Sequence, residues 1–301
     1  MPLNKSIYLA FACLLFLVSS LLAAQAEQAA KLSAMKHLEA TNITVASAAV
    51  CWVTDGKSLS NWVELRAAGS DSVSRFYDEY AAADYVHFVI ITDLMPDTEF
   101  KFRVGSDSLV WDNNGTWYSF KTLQSASYVT PMSIYGKAAD TENNPLDRVL
   151  IRIRIKRQGD DYSLSRTELT KGDGMWATIY TDFHAQDGSL YYPDIGDRVI
   201  IEYFANYWSS AVDSSKTLSG TSPQFLGMLN LSVYDPGKVK KGDLDNNGAI
   251  NIFDLINLLK VLSGSLSLDD GRLFLAADID TNGVVNIFDL LALLRLLKNG
   301  A

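Results

Sequence analysis

The strongest constraint in this sequence is a repeat near its C-terminus. Asp243-Leu-Asp245-Asn-Asn247-Gly-Ala249-Ile-Asn251-Ile-Phe-Asp254 returns 35 residues later as Asp278-Ile-Asp280-Thr-Asn282-Gly-Val284-Val-Asn286-Ile-Phe-Asp289. A hard cation such as calcium takes about six to eight oxygen ligands, and a loop of about twelve residues wraps them around it. Loop positions 1, 3 and 5 give side-chain oxygens, position 7 a backbone carbonyl, position 9 often a water-bridged contact, and position 12 a carboxylate. Glycine at position 6 permits the sharp turn. Each copy supplies the full set. The candidate ligands are therefore Asp243, Asp245, Asn247, Ala249, Asn251 and Asp254, with Asp278, Asp280, Asn282, Val284, Asn286 and Asp289 in the second copy. One short Asp-rich match means little; two in the same register are a different matter.

Each loop leads into a helical pattern, over 252–262 and 287–297. At 100° per residue, Ile252, Leu255, Ile256, Leu259 and Leu262 share a stripe expected to pack on the sister helix. Phe253 and Lys260 fall off that stripe, as Phe288 and Arg295 do in the second copy. Position 12 is Asp where an EF-hand ends in Glu, and Pro236-Gly237 disfavours an entering helix before the first loop. Duplicated loops with exit helices and a closing Asp resemble a type I dockerin over residues 241–301. The resemblance implies a small all-α domain that binds two calcium ions (Ca2+) and docks onto a cohesin-domain protein. It places the partner contacts at Ile252, Phe253, Lys260, Ile287, Phe288 and Arg295. Many dockerins carry small hydroxyl residues where this chain has Ile-Phe, which implies a more apolar partner surface. The residues leave two points open. Phe253 and Phe288 also read as core, and Ile252 belongs to the stripe by angle and to the contacts by motif.

At the other end, Lys5, an apolar run from Ile7 to Leu22 and Ala24-Gln25-Ala26 read as a signal peptide over residues 1–26. The rival reading of that run is a single membrane anchor. Cleavage predicts a secreted or cell-surface protein with no membrane span in the mature chain. Cys51 is then its one cysteine, so no internal disulfide is possible, and stability must come from burial or bound metal.

Between these ends the pattern is β. Residues 27–40 read as a weakly patterned lead-in. Over 41–123, Val50, Trp52 and Thr54 alternate with Cys51 and Val53, and Phe100, Phe102 and Val104 alternate with Lys101 and Arg103. Turns are expected at Asp55-Gly56 and Asn113-Asn114-Gly115, giving a sandwich of about seven strands. Leu94-Met-Pro96-Asp-Thr98-Glu-Phe100-Lys-Phe102-Arg-Val104, with Trp52 and Phe120-Lys-Thr122, resembles a fibronectin type III domain. Phe100 takes the slot usually filled by tyrosine and lacks its hydroxyl. A variant of this module precedes the catalytic domain of purple acid phosphatases; no metallophosphatase domain follows here. The resemblance implies a spacer or binding module.

Residues 127–236 form a second β unit. Val149, Ile151, Ile153 and Ile155 alternate with Leu150, Arg152, Arg154 and Lys156, and Ser209–Ser222 reads as a long loop. Ile134-Tyr-Gly136, Asn144-Pro-Leu146 and Gly174-Met-Trp176 loosely resemble a carboxypeptidase regulatory-like sandwich. The fold class is thus multidomain: two all-β sandwiches followed by a small all-α duplicated calcium-loop–helix domain.

Acids outnumber bases 35 to 26, so the net charge of −9 gives no general attraction to nucleic acid. Three separated histidines and the absence of G-x-S-x-G, H-E-x-x-H or a phosphate-binding glycine loop offer no catalytic constellation. The reading is an exported, non-catalytic adaptor serving polysaccharide degradation or cell-surface assembly. Two alternatives stand beside it. In one, Trp176, Tyr191, Tyr192, Tyr207 and Trp208 stack on polysaccharide; in the other, the middle domain is a glycoside hydrolase, although nothing selects two of its carboxylates.

Overall fold

The computed structural model describes residues 35–126, 129–157, 159, 161–268 and 271–298. The signal sequence expected at 1–26 lies outside the described residues. The chain divides into a unit at residues 34–234 and a unit holding residues 235–301.

The first unit begins with β1 (Met35–Thr41), β2 (Ala48–Ser58), β3 (Asn61–Ala67), β4 (Ser74–Tyr77), β5 (Asp84–Ile91), β6 (Glu99–Ser106), β7 (Leu109–Trp111) and β8 (Tyr118–Lys121). One sheet runs β1-β2-β5; the other runs β4-β3-β6, with β7 and β8 both lying against β6. The lead-in expected over 27–40 is therefore partly wrong, because Met35 to Thr41 pair with Thr54 to Ala49 as the first strand. Nor does β2 turn at Asp55-Gly56. It shifts register between Val53 and Ser58, and Thr54 folds its hydroxyl onto the Gly56 carbonyl at 2.8 Å.

Trp52 is fully buried between the sheets and donates its indole N–H to Ser106 Oγ at 3.2 Å. At the corner where Phe100 lacks a hydroxyl, Thr122 supplies one. Its Oγ1 donates to the Met95 carbonyl (2.6 Å) and accepts from the Thr98 N–H (3.0 Å). Gly105 has a packing reason: a Cβ there would lie 2.2 Å from the Trp62 ring laid across it.

A second sandwich follows: β9 (Ser133–Asp140), β10 (Leu150–Lys156), β11 (Arg166–Leu169), β12 (Met175–Ile179), β13 (Arg198–Phe204), β14 (Ser210–Thr217) and β15 (Gln224–Leu231). Its sheets run β11-β10-β13-β14 and β12-β9-β15, with β9 and β15 parallel. The loop expected over Ser209–Ser222 contains β14, an edge strand whose small polar residues hide a two-residue alternation against β13.

The two sandwiches share a seam. Cys51, Val53 and Val86 of the first bury against Leu150 and Phe204 of the second. Burial pushes the Cys51 thiol up to about 12, so it stays protonated. The Asn42 side chain accepts from the Thr167 N–H and donates to its carbonyl, both at 2.8 Å, as a strand neighbour would. Arg152 bridges Glu39 (2.7 Å) and Glu202 (2.8 Å), and Arg148 reaches Asp84 at 2.6 Å. The basic face expected on β10 is thus largely a set of ion pairs.

The second unit contains α1 (Ile252–Leu262), α2 (Gly271–Ala277) and α3 (Ile287–Lys298). Its core joins Leu244, Leu258 and Val261 to Leu273, Ala276 and Leu293.

Candidate functional site

In each C-terminal loop the carboxylates converge. Oxygens of Asp243, Asp245 and Asp254 lie within 4.8 Å of one another, as do those of Asp278, Asp280 and Asp289. The backbone explains how like charges are brought together. Asn247 N–H and Gly248 N–H donate to Asp243 (3.1 and 3.0 Å), and Asn282 N–H and Gly283 N–H donate to Asp278 (3.0 and 3.2 Å). The chain turns through left-handed residues to aim these amides, at Asn246 and Gly248 in one loop and Thr281 and Gly283 in the other.

Position 12 does more than end the loop. Asp254 has no exposed surface; its Oδ1 accepts from the N–H groups of Leu244 (2.7 Å) and Asp245 (3.2 Å). Its Oδ2 accepts from the Asn251 N–H at 2.8 Å, half of a capping box at the start of α1. Asp289 repeats all three bonds with Ile279, Asp280 and Asn286. Asn251 and Asn286 turn their side-chain oxygens to the helix, accepting from Phe253 and Phe288 N–H at 2.8 and 2.7 Å. Ala249 and Val284 offer carbonyls near those amides, and Asn247 and Asn282 face Asp245 and Asp280 at 2.9 and 2.8 Å. Oxygen donors alone, so spaced, suit a hard cation. The loops differ in their basic neighbours: in the first, Lys240 donates to the Gly248 carbonyl at 2.8 Å and Arg272 to the Asp243 and Leu244 carbonyls at 3.2 and 2.7 Å. In the second, Lys241 donates to the Asp278 carbonyl at 2.8 Å, and burial lowers its ammonium while raising the Asp278 carboxyl.

The closing aspartates also set the phase of the helices, which corrects the stripe read from the sequence. With Asp254 pointing inward, Leu258 and Val261 follow it into the core at helical spacing, with Leu255 and Leu262 at the margins. Ile252, Ile256 and Leu259 stand on the opposite side and are exposed. Phe253 and Phe288 are 62% and 63% exposed, so they are not core. In α3, Ile287, Leu291 and Leu294 repeat the exposed set, and Lys260 and Arg295 lie beside it. Ile256, Leu259, Leu291 and Leu294 were missed as surface residues. The signal that finds them is the inward Asp at position 12.

The aromatics considered for polysaccharide divide differently. Trp176 and Tyr191 are core residues, and Tyr207 and Trp208 are half-buried, with Lys36 over Tyr207 at 3.9 Å and Tyr85 edge-on to Trp208 at 5.8 Å. Tyr192 alone of the five is exposed.

Residues 36–122, less than half of the chain, match the family model "Purple acid Phosphatase, N-terminal domain". Together with sheets of β1-β2-β5 and β4-β3-β6 carrying β7 and β8, this makes the first sandwich fibronectin type III-like. No curated protein matches the sequence. Among solved structures, the chicken CNTN1 FN1-FN3 domains are 13% identical, over 63% of this chain and 65% of that one, with a TM-score of 0.23. The group B streptococcus pilus 2b backbone protein is 8% identical, over 65% of this chain and 96% of its own, at a TM-score of 0.22. A family 64 laminaripentaose-producing β-1,3-glucanase from Paenibacillus barengoltzii is 10% identical, over 62% of this chain and 53% of its own, at 0.21. This chain thus spans less than two thirds of the CNTN1 and glucanase chains. No described helix is long and apolar enough to cross a membrane.

Proposed function

We propose that this chain is an exported, non-catalytic adaptor whose C-terminal unit is a calcium-dependent docking module resembling a type I dockerin. Asp243, Asp245, Asn247, the Ala249 carbonyl and Asp254 hold one calcium ion, with Asn251 through water; Asp278, Asp280, Asn282, the Val284 carbonyl and Asp289 hold the second, with Asn286 likewise. The cation supplies the positive charge that three converging carboxylates lack. The partner is a cohesin-domain protein, met by Ile252, Phe253 and Lys260 or by Ile287, Phe288 and Arg295.

The observation that carries this reading is the duplication itself. Two loops with matching hydrogen bonds each present an exposed Ile-Phe pair at the first turn of the following helix. Phenylalanines more than half exposed on a small domain are an interface signature.

The test is capture of exported proteins by the full chain in calcium and in chelator, with Phe253→Asp, Phe288→Asp and the double variant. Calcium-dependent capture of a cohesin-bearing protein is expected. Because the two copies carry matching contact residues, the reading has either copy meet the partner in one of two equivalent orientations. Either single change should then cost about 0.4 kcal/mol, the loss of one orientation, and the double change should abolish capture. Capture indifferent to calcium overturns the reading.

A further inference from the structure

A groove of about 850 Å³ runs along the seam of the sandwich unit, between the β1 and β8 edges of the first sandwich and the 186–189 turn of the second. Its size falls in the range of about 300–1,000 Å³ usual for small-ligand sites, which favour such junctions. We infer that this groove binds a short neutral oligosaccharide segment, with Trp117 and Tyr118 as ring surfaces and Asn113, Gln124 and Gln186 as hydrogen-bonding partners for sugar hydroxyls.

Three observations favour that chemistry. First, the aromatic wall is positioned at a conformational cost. Trp117 has φ 61, a left-handed conformation that aromatic residues rarely adopt. The hairpin between β7 and β8 holds it there through Trp117 N–H to the Asp112 carbonyl at 2.8 Å. The Arg66 and Arg103 guanidiniums, at 4.5 and 4.8 Å from its ring centre, fix the indole from the sheet surface.

Second, the charges of the groove are already engaged. Lys121 pairs with Asp97 at 2.6 Å, and Glu39 pairs with Arg152 at 2.7 Å and accepts from Ser165 Oγ at 2.5 Å. Asp187 is spent on its own turn, accepting from Ser189 N–H (2.9 Å) and Oγ (2.6 Å). Exposed amides are what remains on the rim: Gln124, with Asn113 and Gln186, whose NH2 groups also donate to the Trp117 and Ser163 carbonyls, each at 3.4 Å. Amides donate and accept at once, as a sugar hydroxyl does. An anionic ligand would meet no uncommitted cation in this lining.

Third, the two walls are held in register. The 186–189 turn is closed by Ala185 N–H to the Ser189 carbonyl (2.8 Å), and a Cβ on Gly188 would touch Leu123 of the opposite wall at 3.5 Å. The Asn42–Thr167 pair and the shared apolar cluster keep the sandwiches from parting. A groove that is formed before binding loses less entropy when filled.

This inference goes beyond the docking reading and does not depend on it. The test is affinity electrophoresis of the full chain through gels holding laminarin, barley β-glucan, arabinoxylan, glucomannan or xyloglucan, run in calcium and in chelator. Retardation in at least one gel is expected, equal with and without calcium. Trp117→Ala should weaken it about tenfold. Gln186→Ala, on an exposed turn and losing one 3.4 Å bond to the Ser163 carbonyl, should weaken it several-fold with little change in melting temperature, which keeps the result independent of Trp117 folding. Tyr192→Ala, outside the groove, should leave it unchanged. Retardation in none of the gels, or retardation that Trp117→Ala and Gln186→Ala both leave intact, overturns the site. A failed docking reading shows itself separately, as protein capture without calcium dependence.

Discussion

Trp52 and Asp254 are both wholly buried, and the difference between them is the difference between the two units of this molecule. Around Trp52, β-branched and aromatic side chains from two sheets exclude water, and its one polar atom is satisfied by Ser106. Around Asp254, the buried group is a carboxylate with two more beside it, compensated by backbone amides and by little apolar mass. One unit is stabilised by area removed from water, which is present under any ionic condition. The other is a small core organised around acidic loops, and its stability is tied to whatever neutralises them.

Chelation should separate the units most sharply. In excess chelator the helical circular dichroism of residues 252–298 should collapse and return on calcium titration, while urea unfolding of the sandwich unit stays unchanged. An unaltered spectrum would remove the metal from the account of this unit.

Core substitutions should act in the opposite sense. Trp52→Ala should destabilise the sandwich unit by about 3–5 kcal/mol and leave the calcium isotherm alone. Leu258→Ala should remove about 2–5 kcal/mol from the C-terminal unit alone. If either change is felt in both units, they do not unfold independently.

Acid should then distinguish the two without mutation. All three histidines lie in the sandwich unit, and burial lowers each, His87 to about 3 and His37 to about 4. A histidine held neutral in the fold gains its proton on unfolding, so its stability is present above about pH 6.5 and is lost as pH falls toward the folded value. For His87 the slope is about 1.4 kcal/mol per pH unit; His37, nearer solvent, contributes less. Burial raises Asp78, which offsets part of the loss at the acid end. Urea midpoints of the sandwich unit should fall between pH 6.5 and 4, and a flat profile would contradict the burial of these rings.

The smallest expected effect probes the helix phase. Ile256→Ser and Leu259→Ser should each change the stability of the C-terminal unit by less than about 0.5 kcal/mol, because both side chains are exposed. A loss comparable to Leu258→Ala would restore the stripe first read from the sequence.

What is local is legible in the chain alone. The loop pattern is legible because all its donors fall within one turn of chain, and the strands of the first sandwich because alternating burial writes a two-residue period. The helices after each loop were equally plain. Their phase was not, since a 100° rotation places either Ile252-Ile256-Leu259 or Leu255-Leu258-Val261-Leu262 on a convincing apolar stripe. Only the fold chose, by drawing Asp254 and Asp289 inward to close their loops. The same holds for Thr122 doing the work of a corner tyrosine, for Leu150 and Cys51 meeting across the seam, and for Trp117 and Gln186 lining one groove. These contacts join residues far apart in the chain, and periodicity carries no information about which distant face a side chain will meet.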